Sequence, residues 1–179
     1  MWVALTALVT LAYPLVVYWG LGHWEPRVLA GLLVLVALLR AVASRDRLWR
    51  VAALGAAALA LVSMLGNALL PLKLYPVLVN AVLLAVFLYS LRYPPTVIER
   101  LARLREPALP ERGVRYTRGV TRVWAGFFAL NGSIALGTAL FASEAVWALY
   151  NGLVAYGLMG LLFAGEWLVR QRVRRGIGA

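Results

Sequence analysis

Asparagines in apolar stretches are the residues of this chain best suited to hold a polar ligand. The chain has four: Asn67, Asn80, Asn131 and Asn151. Each amide both donates and accepts hydrogen bonds, so two interpretations are open. The amides either bond one helix to another, at about 0.6 kcal/mol per contact on average in membranes, or line a polar cavity.

The cavity interpretation adds tyrosines of the same stretches: Tyr13, Tyr75 and Tyr150. Tyr13 and Tyr75 each precede a proline, which frees a backbone carbonyl to face a cavity. Glycine follows both Asn131 and Asn151, and we expect it to leave open space beside each amide. These features make ligand-binding candidates of Asn80, Asn131, Asn151, Tyr75 and Tyr150.

Glu166 is the further ligand-binding candidate, because it lies in the apolar stretch 161–169. A carboxylate in hydrocarbon is unfavourable and often functional. Arg170 follows at i+4, a spacing that favours an ion pair on a helix. Glu166 is therefore either a structural partner of Arg170 or a binding or proton-handling group that faces the cytoplasm.

Patterns for catalysis and metal binding are absent from the sequence. His23 is the only histidine and there is no cysteine, which excludes thiolate chemistry, His pairs and disulfides. No phosphate loop, paired carboxylates or metal-ligand spacing is present. We therefore predict a non-enzymatic protein with no catalytic residue, no metal and no cofactor.

Composition predicts an integral membrane protein. Of the 179 residues, 63% are hydrophobic, and the mean hydropathy is +0.82. A membrane helix needs about 20 mainly apolar residues. The expected fold is an all-α, polytopic helix bundle that forms one domain over residues 1–179. Six transmembrane helices are expected, at about 2–21, 26–43, 50–70, 74–91, 121–142 and 146–169.

The basic residues predict the orientation of these spans. Of the 18 Lys and Arg residues, all but Arg27 and Lys73 fall on the side that holds both termini and the loops 44–50 and 92–120. Basic residues are retained in the cytoplasm during insertion, so both termini are expected there. The net charge of +11 is then explained by anionic head groups and not by nucleic acid.

The loop 92–120 is expected to contain one short amphipathic helix at the membrane interface. Thr96 and Glu99 have the spacing of a capping box, and apolar residues follow on one face: Val97, Ile98, Leu101 and Leu104. Beyond Pro107 and Pro110, a basic stripe at helical spacing is suited to contact head groups or a partner: Arg115, Arg118 and Arg122.

Four segments resemble a bacterial inner-membrane family that is found beside aryl-polyene and related fatty-acid-like biosynthesis genes. They are residues 73–80 (KLYPVLVN), 113–118 (GVRYTR), 147–152 (WALYNG) and 165–167 (GEW). The chain also has a more distant resemblance to the septation protein A family, which is based on Trp124, Phe127 and Phe128. The resemblance implies an inner-membrane location and a setting of lipid or polyene assembly. It implies no catalytic residue.

These observations lead to three hypotheses. The first is a non-enzymatic protein that binds, scaffolds or translocates a lipid-like product of such a pathway. The second is a scaffold of cell-envelope assembly or septation. The third, a membrane-embedded transferase, is disfavoured because acid and base groups are missing. Membrane lipids are expected partners. An acidic acyl carrier protein or other biosynthesis proteins are candidate partners at the basic cytoplasmic face. The sequence also allows a homo-oligomer.

The topology is testable with reporter fusions. Fusions at residues 47, 108 and 179 should report the cytoplasm, and fusions at residues 24, 72 and 144 the periplasm, because the basic clusters are retained inside. Paired phosphatase and fluorescent-protein fusions measure this directly. A periplasmic signal at residue 108 would overturn the map.

Overall fold

The computed structural model describes residues 47–66 and 69–175, together with Val28 and Gly31. Within these residues all regular structure is helical. The elements are α1 (Arg47–Gly66), α2 (Leu70–Lys73), α3 (Tyr75–Arg92), α4 (Val97–Arg103), α5 (Glu111–Phe141), α6 (Glu144–Leu149), a π-helical turn (Tyr150–Val154) and α7 (Ala155–Arg175). The predicted all-α class is confirmed.

Three helical segments are long and apolar enough to cross a membrane: Leu70–Arg92, Glu111–Phe141 and Glu144–Gln171. They contain the predicted spans 74–91, 121–142 and 146–169, apart from Ala142. A shorter apolar stretch, Leu54–Ser63, lies within α1. The predicted spans 2–21 and 26–43, except Val28 and Gly31, lie outside the described residues, as do Tyr13, His23 and Asn67.

Apart from Leu72, the buried apolar residues in the described part of the chain are alanine or aromatic, while many large aliphatic residues are exposed. Ala56, Ala60 and Ala139 pack around Trp147, which is fully buried. The Trp147 indole N–H donates to the Lys73 carbonyl at 3.1 Å, which ties α6 to the turn before α3. In the most apolar window of segment 144–171 only 11% of residues are buried, so this helix offers most of its surface to lipid.

A second cluster joins the other end of α3 to α5. Phe87 and Phe128 meet edge to face with ring centroids 5.1 Å apart, and Trp124 lies 5.7 Å from Phe128. Such tilted and edge-on contacts are the favourable geometries of aromatic pairs. Val97 and Ile98 of α4 pack against this cluster, so α4 is fixed against the ends of both helices.

The start of α4 confirms the predicted capping box. The Thr96 hydroxyl accepts from the Glu99 N–H at 3.3 Å, and the Thr96 N–H donates to the Glu99 carboxylate at 3.4 Å. The Ser90 hydroxyl of α3 accepts from the Val97 N–H at 3.2 Å. Three of the amides left unpaired at a helix start are thus satisfied, one of them by α3.

The rest of the bundle covers only part of the apolar face of α4. Leu101 and Leu104 are 57% and 81% exposed, whereas Glu99 and Ala102 are buried. Burial of Glu99 is tolerated because its carboxylate accepts two bonds from Arg103, at 2.8 and 3.0 Å. The capping bonds therefore rotate α4 so that two leucines remain uncovered.

Helices α3 and α5 approach each other closely at Gly132. A Cβ atom added there would lie 3.0 Å from the Asn80 Cβ, which is closer than ordinary van der Waals contact. The expectation of open space beside Asn131 is therefore wrong at Gly132, because Asn80 fills that position. Small residues permit such close backbone approach in membrane bundles.

This contact predicts different outcomes for two alanine substitutions on α5. Gly132→Ala should destabilise the bundle by about 1–3 kcal/mol, because the added methyl overpacks the contact with Asn80. Gly137→Ala is the control, since no atom lies within 4 Å of its added Cβ; it should be neutral or slightly stabilising. Unfolding of the purified protein in detergent measures both. Equal effects would contradict the close approach.

Candidate functional site

Asn80, Asn131 and Tyr150 form a continuous line of hydrogen bonds across three elements, here called the asparagine ladder. The Asn131 side-chain N–H donates to the Asn80 amide oxygen at 3.0 Å. The Tyr150 hydroxyl donates to the Asn131 amide oxygen at 2.8 Å. Asn80 in turn donates to the Pro76 carbonyl at 2.8 Å. The ladder connects α3, α5 and the π-helical turn.

Asn151 makes a separate contact one residue further along the π-helical turn. Its side-chain N–H group donates to the Thr138 hydroxyl at 3.2 Å and to the Trp147 carbonyl at 2.9 Å. A π turn inserts one extra residue into the helical repeat. This allows Tyr150 and Asn151, neighbours in the chain, both to bond to α5.

The ladder geometry supports interhelical bonding by these amides. Asn80, Asn131 and Asn151 are all buried. Within the described part of the chain, every buried side-chain nitrogen or oxygen has a hydrogen-bond partner. Tyr75 lies in the apolar cluster around Trp147. Ligand binding by this group of residues stays a prediction, and the experiment below separates the two roles.

A cavity of about 810 Å³ lies elsewhere, between α4 with its following loop, the first part of α5 and the last part of α7. We call it the α5–α7 cavity. Glu166 lines it, whereas Asn80, Asn131, Asn151, Tyr75 and Tyr150 do not. The structure therefore separates Glu166 from the other predicted ligand-binding residues.

One end of the α5–α7 cavity is polar. Tyr116 from α5 and Glu166 and Arg170 from α7 line it there, with Arg105 and Glu106 from the loop after α4. The Tyr116 hydroxyl reaches the Glu166 backbone carbonyl at 3.3 Å and the Glu166 carboxylate at 3.4 Å. This contact joins α5 and α7 at residues 50 positions apart in the chain.

The other end of the α5–α7 cavity is apolar. Val120 and Trp124 follow Tyr116 along α5, and Phe163 precedes Glu166 on α7. The rings of Trp124 and Phe163 lie 4.5 Å apart. Leu101 of α4 and Leu104, which follows that helix, also line the cavity. Along the facing parts of α5 and α7, the lining thus changes from polar at Tyr116 and Glu166 to aromatic at Trp124 and Phe163.

The expected ion pair between Glu166 and Arg170 is not formed. Both side chains are described, and their charged atoms do not come within 4.0 Å of each other, unlike those of Glu99 and Arg103 at 2.8 Å. Tyr116 contacts the Glu166 carboxylate instead. Helical spacing alone favoured Arg170, but a hydroxyl from a distant helix provides the hydrogen bond.

The basic stripe lies on the opposite side of α5 from the cavity. Arg115 is exposed and lies 3.7 Å from Glu111, Arg122 is exposed, and Arg118 donates to the Leu91 carbonyl at 3.3 Å. Arg118 therefore also satisfies one of the last carbonyls of α3, which lack intrahelical partners. Arg115 and Arg122 remain placed to contact head groups or a partner.

Tyr116, Val120 and Trp124 were not singled out from the sequence as site residues. Their signal was present, because positions 113, 116, 117, 120 and 124 repeat at helical spacing and so share one face of α5. This face is offset by two residues, or roughly 200°, from the basic stripe. The interpretation of the sequence considered only the arginines, which lie on the other side of the helix.

The asparagine ladder predicts a coupled loss of stability without loss of ligand. Asn131→Leu should destabilise the bundle by about 1–3 kcal/mol, because Asn80 and Tyr150 lose a buried partner. The double variant Asn80→Leu, Asn131→Leu should cost less than the sum of the single variants. Unfolding in detergent measures the coupling, and native mass spectrometry measures bound lipid. A tenfold loss of lipid in a folded Asn131→Leu, Asn151→Leu variant would instead show that these amides line a binding site.

A comparison of the chain with protein-family models, curated proteins and solved structures finds no match.

Proposed function

We propose that this chain is a non-enzymatic, multi-pass protein of a bacterial inner membrane that binds a lipid-like amphiphile in the α5–α7 cavity. The observation that carries the proposal is the change of polarity along that cavity. Tyr116 and Glu166 contact each other at one level of α5 and α7, and the aromatic rings of Trp124 and Phe163 meet at another. This change matches an amphiphile, in which a polar head is joined to an apolar chain.

The length of α5 supports a position of this cavity at head-group depth. The helix has 31 residues, so it is about 46 Å long, whereas the hydrocarbon core is about 30 Å thick. The excess is at the start of the helix, where arginines are concentrated: Arg112, Arg115, Arg118 and Arg122. The polar end of the cavity lies in this part and the apolar end where the apolar segment begins.

This position of the cavity agrees with the predicted topology of six spans with both termini in the cytoplasm. In this arrangement α4 is the interfacial helix of the 92–120 loop, and its exposed leucines, Leu101 and Leu104, face the acyl region. An apolar surface of this kind is typical of interfacial helices. The cavity would then open toward the cytoplasmic leaflet, where a lipid-like product made in the cytoplasm would enter.

Lipid binding explains the cavity better than scaffolding does. A scaffold needs an exposed contact surface, whereas the volume of about 810 Å³ lies in the range of pockets for small molecules. A membrane-embedded transferase would need a general acid or base close to a bound substrate. Glu166 is the carboxylate that lines the cavity from α7, and the described part of the chain supplies no histidine or cysteine to act with it.

The proposal predicts that filling the cavity displaces the ligand. Val120→Trp and Leu101→Trp each place an indole in the cavity, from α5 and α4 respectively. Both should lower the occupancy of a single-chain lysophospholipid by tenfold or more, measured by native mass spectrometry of the full-length protein. Leu101 is exposed at the surface of α4, so its replacement preserves the core even if the Val120 variant is less stable.

Val123→Trp is the matched control. Val123 lies on the same helix, is exposed and does not line the cavity, so lysophospholipid occupancy should be unchanged. Thermal unfolding shows that each variant is folded. Equal occupancy in all three variants would place the lipid outside this cavity, and failure of the unmodified protein to bind any lysophospholipid would overturn the proposed function.

A further inference from the structure

Resting on this proposed function, we infer that the α5–α7 cavity selects a zwitterionic head group that carries a primary ammonium and a phosphate, as in a phosphoethanolamine lipid. Glu166 binds the ammonium, and Arg170 together with the Tyr116 hydroxyl binds the phosphate. The inference rests on the charges of the described lining residues, on the absence of an ion pair between Glu166 and Arg170, and on the long hydrogen bonds of Tyr116.

The charges of the described residues that line the cavity are balanced. They are Arg105 and Arg170, with Glu106 and Glu166. The surrounding chain is strongly basic, with a net charge of +11, so a lining that only attracted anions would need no carboxylates. A lining with equal numbers of each sign is complementary to a head group without net charge that carries both signs.

Glu166 and Arg170 are available to bind such a head group because they do not pair with each other. Their charged atoms lie beyond ion-pairing distance although both face the same cavity. A partly buried carboxylate is stabilised by a charged hydrogen-bond donor, and a primary ammonium provides three. Arg170 presents a planar guanidinium, the side chain best suited to grip phosphate through two parallel bonds.

Tyr116 is held loosely enough to change partners. Its hydroxyl lies 3.3 Å from the Glu166 carbonyl and 3.4 Å from the carboxylate, whereas O–H···O bonds are usually 2.5–3.0 Å long. These two long bonds share one proton. A phosphate oxygen that enters the polar end would accept this proton at the usual, shorter distance, and the Glu166 carboxylate would then be left for the ammonium.

The apolar walls add a requirement for an acyl chain. Trp124 and Phe163 line the cavity beside the polar groups, at 4.5 Å between rings, and their rings offer apolar surface to an acyl chain. Free phosphoethanolamine would fill only the polar end and gain nothing from these walls. The inferred ligand is therefore the lipid and not the soluble head group.

Native mass spectrometry of the full-length protein tests this selectivity with lysophospholipids that share one acyl chain. The ethanolamine lipid should bind at least tenfold more tightly than the glycerol lipid, which lacks the cation, and the choline lipid, which lacks N–H donors. Free phosphoethanolamine should not compete at concentrations that saturate the lipid. Competition by the free head group at equal strength would overturn the lipid assignment.

Glu166→Gln is the decisive variant, because the amide still accepts a hydrogen bond from Tyr116 but removes the charge. It should abolish the preference for the ethanolamine lipid while the glycerol lipid binds as before. Arg170→Gln should weaken both lipids by tenfold or more. Glu111→Gln is the control, since this exposed carboxylate lies outside the cavity and its replacement should leave binding unchanged.

The outcomes separate this inference from the proposed function. If the unmodified protein binds all three lipids equally, or if Glu166→Gln keeps the preference, the head-group inference is overturned while lipid binding stands. If no lysophospholipid binds at all, both are overturned. A preference for the ethanolamine lipid that is lost only in Glu166→Gln and not in Glu111→Gln supports the inference.

Discussion

The close approach of α3 and α5 is the constraint on which the described bundle depends. Gly132 admits Asn80 at this point, and the Asn80 and Asn131 amides bond at 3.0 Å. No water is present in the core of a bilayer to satisfy a displaced amide. A slip of one helical turn, about 5.4 Å, would separate the two amides, so the ladder specifies the register of these helices as well as adding stability.

This register positions α5, and α5 then separates two polar surfaces. Its start carries the basic stripe on one face and the α5–α7 cavity on the other. The two faces are roughly 200° apart. The head-group contact predicted for the stripe and the ligand binding proposed for the cavity therefore belong to different sides of one helix.

Local features of the fold could be predicted from the sequence, and contacts between distant segments could not. The capping box of Thr96 and Glu99 involves residues three apart, and both of its bonds form. The three described apolar spans follow from hydropathy alone. By contrast, the partner of Glu166 depends on how α7 meets α5, so helical spacing indicated Arg170 while Tyr116 makes the contact. The sequence did not decide whether the asparagines bond helices together or line a cavity for the same reason. Their partners depend on the register of α3 and α5.

The exposure of Leu101 and Leu104 depends on hydrogen bonds within α4 and on contacts of α4 with other elements. The capping bonds and the Glu99–Arg103 pair determine the rotation of α4, and Arg103 also donates to the Pro107 carbonyl at 3.1 Å, which fixes the loop that follows. Leu101 and Leu104 are thus held against the cavity with little cover. Exposed apolar surface is unfavourable in water by about 25 cal/mol per Å². An acyl chain between α4, Trp124 and Phe163 would remove this cost, so the polar bonds that hold α4 in place also create the apolar wall of the proposed lipid site.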